Sequence, residues 1–451
     1  MDNRSNFATK IEQTVTEPLL HPIHERKVAF HTLGCKLNFA ESAMLMQRFR
    51  ERGYRTVDFD DEADVYIINT CSVTHVADKK CRQAIKKATH RGARVVVMGC
   101  YAQLKPEEIA AIEGVNLVLG TSEKFRVIDH VEALFSGNTT KIHSCDIFDV
   151  EDFDASYSIS ERTRAFLKVQ DGCNYNCTYC TIPLARGISR NTSIEKIMQQ
   201  AKTIAAQGVK EVVLTGVNIG DFGHSTGETF FQLIRQLDTV EGIDRFRISS
   251  IEPNLLSNEI IDFVATSQRF VPHFHIPLQS GSNQILAAMG RRYRREVFAS
   301  RVNYIRHTMP FACIGADVIV GFPGETDELF EETYHFIQSL DISYLHVFPF
   351  SDRPNTKAFE MKNKVEPRIK EMRSKKLLDL SREKRKKFYQ LNEGRSEKVI
   401  FESRIRKNYM YGFTSNYIKV EAPYNQELIG KVTRVEVGKL TGNESCKALI
   451  L

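Results

Sequence analysis

The chain lacks the long apolar runs that mark membrane proteins. Hydrophobic residues make up 42% of its 451 residues, but no run approaches the roughly 18 apolar residues of a membrane-spanning helix. Residues 1–25 also lack the apolar core of a secretory signal peptide, and we interpret them as a flexible N-terminal arm. These absences predict a cytoplasmic protein without a membrane partner, long enough for about two to four domains.

A large excess of one charge is also missing, since 62 Lys and Arg stand against 56 Asp and Glu. The excess that exists is local. Between Lys362 and Lys387 there are twelve basic and four acidic residues, a difference of eight that exceeds the net charge of +6 of the whole chain. Such a run is often a solvated helix face, and it equally suits contact with a phosphate backbone.

Two smaller groups of residues also allow either contact with RNA or a purely structural interpretation. Arginines at 291, 292, 294 and 295 surround Tyr293, and near the C-terminus the aromatic residues 409, 411, 413 and 417 alternate with basic ones. Both groups could grip phosphate and stack bases. The arginines could instead face solvent, and the aromatic residues could be half-buried core.

The ten cysteines are not explained by disulfides, which a reducing cytosol disfavours, so clustered cysteines there are more often metal ligands. Cys173, Cys177 and Cys180 form a C-x3-C-x2-C array directly after a short strand pattern. The nearest histidines, His143 and His224, are too distant in sequence to complete a compact zinc site. Thiolates alone do not distinguish iron–sulfur clusters, zinc and Cu(I). A cluster with three protein ligands would leave one iron open to a small molecule.

The order of the predicted strands and helices near the N-terminus indicates a second group of cysteines. Three apolar strand patterns, at residues 28–33, 65–69 and 95–98, alternate with helix patterns and lead to Cys35, Cys71 and Cys100. This alternation predicts an open parallel α/β sheet, in which ligands bind beyond the carboxyl ends of the strands. The three cysteines should therefore converge, unless they are only small buried residues. Cys81 lies inside a helix pattern, and we assign it to packing.

The rest of the chain predicts two further domains. Six strand patterns between residues 165 and 348 alternate with helices, which favours a partial (β/α)6 barrel over the complete eightfold form. Short strands with Gly and Asn turns after residue 391 predict a small five-stranded β-barrel. We therefore expect an α/β chain with an N-terminal domain at 26–143, a linker at 144–164, a barrel with a basic C-terminal helix at 165–390, and a β-barrel at 391–451.

The cysteine segments resemble those of the radical S-adenosylmethionine (SAM) methylthiotransferase family. Tyr179 supplies the aromatic residue of C-x3-C-x-aromatic-C, and DGCNYNCTYC, IPLARG, TLGCKLN, INTCSVT and VVVMGCYAQ are similar to the family's segments. The resemblance implies two [4Fe–4S] clusters, one held by Cys35, Cys71 and Cys100. The other, held by Cys173, Cys177 and Cys180, binds SAM. It also implies that the C-terminal barrel is a TRAM domain, an OB-like module that binds RNA.

The resemblance further implies where SAM is held. The family contacts SAM from the loop of the second cysteine triad and from the carboxyl ends of barrel strands. The positions of this sequence that match are Tyr179, Thr215, Gly216, Glu252, His275 and Gln279.

Three branches share this layout, two modifying adenosine 37 of tRNA and one an aspartate of a ribosomal protein. NTCSVT, VADKK and SSIEP look most like the branch that acts on N6-threonylcarbamoyladenosine. The C2–H bond of adenine has no acidity for a general base to exploit, whereas radical chemistry from a cofactor can break it. The implied partners are the tRNA anticodon stem-loop and a reductant protein such as a flavodoxin; the residues leave the oligomeric state open.

Other functions remain compatible with the sequence. The same chemistry could act on isopentenyladenosine in tRNA or on the ribosomal aspartate. A non-catalytic iron–sulfur protein that binds RNA would need the same cysteines and basic surfaces.

Overall fold

A computed structural model describes residues 26–137, 141–150, 153–158, 163–442 and 444–451. The N-terminal arm predicted at 1–25 lies outside these residues. None of the helices in the described ranges is long and apolar enough to cross a membrane. The mixed α/β architecture that was predicted, with a parallel sheet, a partial barrel and a small β-barrel, is confirmed.

The N-terminal domain is a six-stranded parallel sheet in the order β2-β1-β3-β4-β5-β6. Its central strands are continuously apolar because helices cover both faces. Val65 and Ile67 pack on one face, and Tyr66 and Ile68 on the other. The strands are β1 Lys27–Thr32, β2 Arg55–Val57, β3 Val65–Thr70, β4 Arg94–Gly99, β5 Leu117–Leu119 and β6 Ile142–His143, and the helices are α1 Lys36–Glu51, α2 His75–Thr89, α3 Cys100–Leu104, α4 Pro106–Ala110 and α5 Val127–Phe135.

The segment predicted as a linker, residues 144–164, is partly folded as a part of the central domain. It contains a 3-10 turn at Ile147–Asp149 and the strand β7 Tyr157–Ser158, which pairs antiparallel with the first barrel strand. The barrel edge therefore begins before the predicted boundary at residue 165.

The central domain is the predicted partial barrel of six parallel strands, β8 to β13. Pairing runs β8-β9-β10 and β11-β12-β13, and isolated parallel bridges at Phe246–Phe270 and Ser250–His275 join the two blocks. No described residues pair β8 with β13, so the barrel wall has a lateral gap. The strands are β8 Arg164–Lys168, β9 Glu211–Thr215, β10 Arg245–Ile248, β11 His273–Gln279, β12 Cys313–Val320 and β13 Tyr344–Pro349.

Amphipathic helices cover the outside of this barrel and bury a continuous apolar core against its strands. Alternate residues of each strand face that core, and the remaining residues face the lumen. The helices are α6 Ile182–Arg186, α7 Ile194–Ala206, α8 Phe230–Leu237, α9 Asn258–Thr266, α10 Asn283–Ala288, α11 Arg295–Thr308, α12 Asp327–Ser339, α13 Lys357–Glu360 and α14 Pro367–Leu391, the last of which carries the basic run.

The C-terminal domain is a closed five-stranded barrel in the order β14-β15-β16-β18-β17, as predicted. It packs where the barrel strands begin, since Arg245 and Arg247 donate to the carbonyls of Phe413 and Ser415 at 3.1 and 3.2 Å. The strands are β14 Ser396–Arg406, β15 Tyr409–Thr414, β16 Lys419–Pro423, β17 Val432–Leu440 and β18 Cys446–Ile450.

This packing decides between the two interpretations of the C-terminal aromatic residues for two of them, which are half-buried. Phe413 and Tyr417 stack on each other with ring centroids 4.8 Å apart. Arg164 and Arg247 of the central barrel each lie 4.8 Å from one of these rings. The two rings therefore belong to a domain interface, while Tyr409 remains exposed.

The N-terminal domain sits against both sides of the lateral gap. After β13, Arg353 donates to Asp78 at 2.8 Å and to Ser72 at 2.6 Å, with all three side chains buried. On the β8 side, Glu41 of α1 forms an ion pair with Lys168 at 3.1 Å. The N-terminal domain thus covers the opening between the first and last parallel strands.

Removal of the Arg353 side chain should weaken this docking. Arg353→Ala leaves the Asp78 carboxylate buried without its partner, which should reduce the free energy of unfolding by about 3–5 kcal/mol. Urea unfolding monitored by limited proteolysis would measure the loss. The matched control Arg382→Ala removes an exposed pair with Asp379 and should change stability by less than about 1 kcal/mol. Equal effects would contradict the docking role.

Candidate functional site

The structure brings Cys35, Cys71 and Cys100 to one edge of the N-terminal sheet. They follow β1, β3 and β4, which are neighbours in the sheet, and each lies at a carboxyl end. Gly34 makes the approach possible: its φ is +103°, and a Cβ there would lie 2.9 Å from the Cys71 sulfur. The convergence predicted from strand order is therefore observed.

Cys81 is close to this group but is engaged in packing, as expected. Its thiol donates to the carbonyl of Cys71 at 3.3 Å, and its sulfur accepts from the backbone N–H of Cys71 at 3.4 Å. The side chain is fully buried among the apolar residues of α2 and the sheet. It therefore supports the segment that carries Cys71.

Burial acts on the pKa values of the two buried thiols at this edge, Cys71 and Cys100. Burial raises the pKa of Cys71 to about 12, and the neighbouring Cys100 thiol acts in the same direction. Burial also raises the pKa of Cys100, where the Arg186 guanidinium acts in the opposite direction. Thiolates at this place need a compensating cation, which bound metal supplies as it displaces the protons.

The second triad lies in the loop between β8 and α6, which several backbone bonds hold in place. N–H groups of Tyr175 and Ile182 donate to the sulfurs of Cys173 and Cys180 at 3.4 and 3.5 Å. Arg291 donates to the sulfur of Cys177 at 3.2 Å. Such donors stabilise negative sulfur, as in iron–sulfur sites.

The donor set of both triads suits an iron–sulfur cluster. Each triad offers three thiols, and soft thiolate ligands favour iron–sulfur clusters, zinc or Cu(I). A [4Fe–4S] cluster takes each thiolate on a different iron, and three ligands leave its fourth iron open.

Gln170 links the end of β9 to the cysteine loop, the segment that carries Cys173, Cys177 and Cys180. Its amide oxygen accepts from the N–H groups of Val217 and Asn218, each at 2.9 Å, and its amide nitrogen donates to Gly172 O at 2.8 Å. A Cβ on Gly216 would lie 2.9 Å from the Gln170 oxygen, so this turn needs glycine. Thr215, the last residue of β9, is buried directly before it.

Asn218 offers a test of whether a polar cofactor fits here. Its side chain is only 3% exposed, yet neither its amide oxygen nor its amide nitrogen has a partner among the described residues. Buried amides are normally paired. A ligand with polar groups beside the cysteine loop, such as the amino acid part of SAM, would satisfy it.

Three of the other residues predicted to contact SAM lie around the cysteine loop or above it. Tyr179 is a neighbour of Arg291, whose guanidinium also pairs with Glu252. Burial raises the pKa of Glu252, and Arg291 opposes this shift. Gln279 ends β11 with a φ of +65°, beside a register shift. Strain of this kind persists where the surrounding structure holds a side chain in a required direction.

His275 lies beside the segment that carries Glu252. Its carbonyl accepts from the N–H of Ile251 at 3.0 Å, and its Nε2 is 2.8 Å from the carboxylate of Asp317 on β12. Its predicted contact with SAM stays a prediction.

Sequence reasoning missed Arg291, which was placed in a basic surface patch. Its side chain is buried, as is Tyr293, whose hydroxyl donates to the carbonyl of Pro277 at 2.6 Å. Arg295, from the same group, pairs with Glu332. Arg291 therefore supports the cysteine loop, whereas Arg292 and Arg294 are exposed, and only the spatial neighbours of Arg291 reveal its role.

The second missed feature is a buried ion network between the two triads. Arg186, at the end of α6, pairs with Glu41 at 3.1 Å and with Asp171 at 2.9 Å. Lys124 pairs with Glu41 at 2.7 Å, and Lys168 pairs with both carboxylates. Although burial opposes ionisation, these cations hold the pKa values of Glu41 and Asp171 well below their usual range.

Two family models match the chain. Residues 27–120 match a family described as "Uncharacterized protein family UPF0004". Residues 167–337 match the radical SAM superfamily. The two matches cover the sheet with the first cysteine triad and most of the barrel with the second.

Curated relatives match nearly the whole chain. A protein of Aquifex aeolicus, named threonylcarbamoyladenosine tRNA methylthiotransferase MtaB, is 42% identical over 91% of this chain and 99% of its own length. A Bacillus subtilis protein of the same name is 41% identical over 91% and 94%. A Fervidobacterium nodosum protein, named tRNA-2-methylthio-N(6)-dimethylallyladenosine synthase, is 31% identical over 92% and 97%.

Solved structures of another protein share the fold of this chain. A structure of the radical SAM methyltransferase TsrM from Kitasatospora setae, with cobalamin and a [4Fe–4S] cluster, aligns with a TM-score of 0.57 over 74% of this chain and 77% of that one. Another TsrM structure, with a tryptophan substrate and a SAM analogue, gives 0.56 over 72% and 73%. The identities are 14% and 13%, so these comparisons concern architecture alone.

Iron analysis should separate the ligand cysteines from the packing cysteine. Cys71→Ala should lose about four of about eight iron atoms per chain, because a cluster missing one of three ligands is not retained. Cys81→Ala is the matched control, a buried thiol whose sulfur contacts the backbone of Cys71. It should keep its iron. Loss of iron in Cys81→Ala with retention in Cys71→Ala would reverse the assignment.

Proposed function

Because this chain belongs to the radical SAM tRNA methylthiotransferases, we propose that it methylthiolates C2 of N6-threonylcarbamoyladenosine at position 37 of tRNA. The observation that carries the choice of nucleoside is the similarity to the two proteins named for it, which are 41–42% identical and matched over 94–99% of their length. Relatives named for dimethylallyladenosine are 28–32% identical.

We assign the metal ligands to the two triads. Cys35, Cys71 and Cys100 would hold one [4Fe–4S] cluster, and Cys173, Cys177 and Cys180 would hold the cluster that binds SAM. When bound, these groups supply a carbon-centred radical that abstracts the C2 hydrogen, and a sulfur atom with its methyl group. The supporting observations are the soft donor set and the N–H donors to sulfur.

Residues around the second triad would orient SAM. Gln170 holds the turn after β9 against the cysteine loop, so that Thr215, Gly216 and the unpaired amide of Asn218 line the same space. Tyr179, Glu252, His275 and Gln279 complete the proposed set. Arg291 would act as a positioning residue, because it touches both the Cys177 sulfur and Glu252.

The remaining parts of the chain would serve RNA and exclude solvent. The predicted domains at 26–143 and 165–390 meet across the lateral gap, which keeps water from the lumen where a radical would form. The basic face of α14 and the C-terminal barrel at 391–451 would hold the anticodon stem-loop through phosphate contacts. A reductant protein such as a flavodoxin would supply electrons.

The decisive experiment uses anaerobically reconstituted protein with SAM, dithionite and tRNA that carries N6-threonylcarbamoyladenosine. Mass spectrometry should detect both 5′-deoxyadenosine and the 2-methylthio nucleoside. Cys177→Ala should form neither product, because the SAM-binding cluster lacks a ligand. Cys35→Ala should form 5′-deoxyadenosine without the methylthio nucleoside, since only sulfur delivery is lost.

Three results would contradict the proposal. Full methylthiolation by Cys35→Ala would exclude a role of the first triad in sulfur delivery. Product from isopentenyladenosine tRNA with none from the threonylcarbamoyl substrate would assign the chain to the other nucleoside. Neither product from a wild-type protein loaded with both clusters would favour an RNA-binding protein without catalysis.

A further inference from the structure

Two imidazoles and a carboxylate meet on three adjacent strands of the central barrel. The Nε2 atom of His275 on β11 and the Nδ1 atom of His346 on β13 lie 2.8 and 3.3 Å from the same carboxylate oxygen of Asp317 on β12. All three atoms lie within 4.8 Å of one another. The strand pairing produces this arrangement, because Asp317 and His346 are direct partners in the register of β12 and β13.

This group faces the lumen of the barrel and is open to solvent. Its neighbours in sequence Ile276 and Ala316 lie in the core beneath the helices. Because alternate residues face opposite sides of a strand, the two imidazoles and the carboxylate face the lumen. The side chain of His346 is 50% exposed, whereas those of His275 and Asp317 are 13% and 20% exposed. An ion can therefore enter from solvent and still be held by partly shielded side chains.

Tyr344 orients the imidazole of His275. The tyrosine hydroxyl lies 3.4 Å from Nδ1 of His275 and can accept a hydrogen bond from it. That bond keeps the ring proton on Nδ1, so the lone pair of Nε2 is directed at the carboxylate of Asp317. Histidines that bind metals normally donate their second ring nitrogen to a partner, which fixes the tautomer and the ring orientation. The tyrosine meets that requirement.

Gly315 makes room for the tyrosine. It lies in register with His275 on one neighbouring strand and with Tyr344 on the other. A Cβ at this position would be 2.3 Å from Cζ and 2.5 Å from the hydroxyl oxygen of Tyr344. Any larger residue would therefore push the hydroxyl away from His275. The missing side chain of β12 is thus part of the support for the imidazole.

The geometry suits ligands that share one ion. Two imidazoles that only donate hydrogen bonds can use both oxygens of a carboxylate, but here both ring nitrogens converge on one oxygen. Ligands at about 2.0–2.2 Å from one ion lie roughly 3–3.6 Å apart. The observed separations of 2.8 and 3.3 Å need only a small adjustment to reach that range.

The ligand types indicate which ion fits. Mg²⁺ and Ca²⁺ prefer oxygen ligands, whereas imidazole suits zinc and other first-row transition metals. Three protein ligands leave coordination positions open, which is typical of zinc sites that bind water or a small molecule rather than of closed structural sites.

We propose that His275, Asp317 and His346 bind one divalent transition-metal ion of the zinc type, at a site separate from both cysteine triads. Water completes the coordination of the ion. The inference does not rest on the proposed function. It assigns the Nε2 atom of His275 to the ion, so a contact of this residue with SAM would come from its backbone.

Zinc binding to the full-length protein tests the site. Protein with both clusters loaded is equilibrated anaerobically with micromolar zinc and desalted, and zinc and iron are measured per chain. Wild type should retain one zinc ion in addition to its iron. X-ray absorption at the zinc edge should show nitrogen and oxygen ligands at about 2.0–2.1 Å and no sulfur. Sulfur ligands at about 2.3 Å would place the ion at a cysteine triad, and either that result or the absence of retained zinc would overturn the proposal.

Variants then assign the ion to these side chains. Asp317→Asn and His346→Phe should each raise the Kd for zinc more than 100-fold, and Tyr344→Phe should raise it about tenfold, because a lost ligand weakens binding more than a lost supporting contact does. The matched control is His335→Phe, an exposed histidine 3.8 Å from Glu331, which should bind zinc as wild type does.

Iron content serves as the check on folding. Unchanged zinc affinity in Asp317→Asn and His346→Phe, with iron retained, would overturn the assignment. If either variant loses its iron, the zinc-edge ligands of the wild type still decide, because that measurement needs no substitution. Neither SAM nor tRNA is present in these experiments, so failure of the proposed reaction leaves the result on the metal site unaffected.

Discussion

The arrangement of this molecule depends on the buried ion network around Arg186. Two carboxylates, Glu41 from the N-terminal domain and Asp171 from the barrel, share the guanidinium of Arg186 and the ammonium of Lys168. Removing such charges from water is costly, and the cost is recovered only when every member is paired with good geometry. The network therefore tolerates few relative positions of the two domains. Because Arg186 follows the second cysteine loop and its charge also acts on Cys100, those positions set how the two triads face each other.

The same ion network explains how the lateral gap of the incomplete barrel is covered. Six parallel strands leave an opening between β8 and β13, and in isolation that opening would admit water. The ion network fixes the N-terminal domain at one side, and Arg353 with Asp78 fixes it at the other. The N-terminal domain, which carries the first triad, thus also covers the gap in the barrel that carries the second triad.

Polar residues of the barrel form two groups with different neighbours. Gln170 holds the turn that carries Asn218 against the cysteine loop, near the carboxyl ends of the strands. His275, Asp317 and His346 lie together on the neighbouring strands β11, β12 and β13. The first group would hold a cofactor. The C-terminal barrel lies near the start of the strands, where Arg245 and Arg247 bond to it.

The sequence by itself determined the order of elements, the three-part architecture and the convergence of Cys35, Cys71 and Cys100. These follow from hydrophobic periodicity and from the rule that parallel strands end at one edge, both of which are local or topological properties. Cys81 lies inside a helix pattern, and its exclusion from the ligands stays a prediction. The functions of the charged and aromatic residues were decided only by the tertiary structure. Arg291 and Tyr293 resembled a surface patch, but their side chains are buried. Phe413 and Tyr417 could have been a stacking surface or half-buried core, and the structure places them at a domain interface. A charge or a ring has no periodicity that reveals its partner, because that partner is tens to hundreds of residues away and becomes a neighbour only when the domains pack.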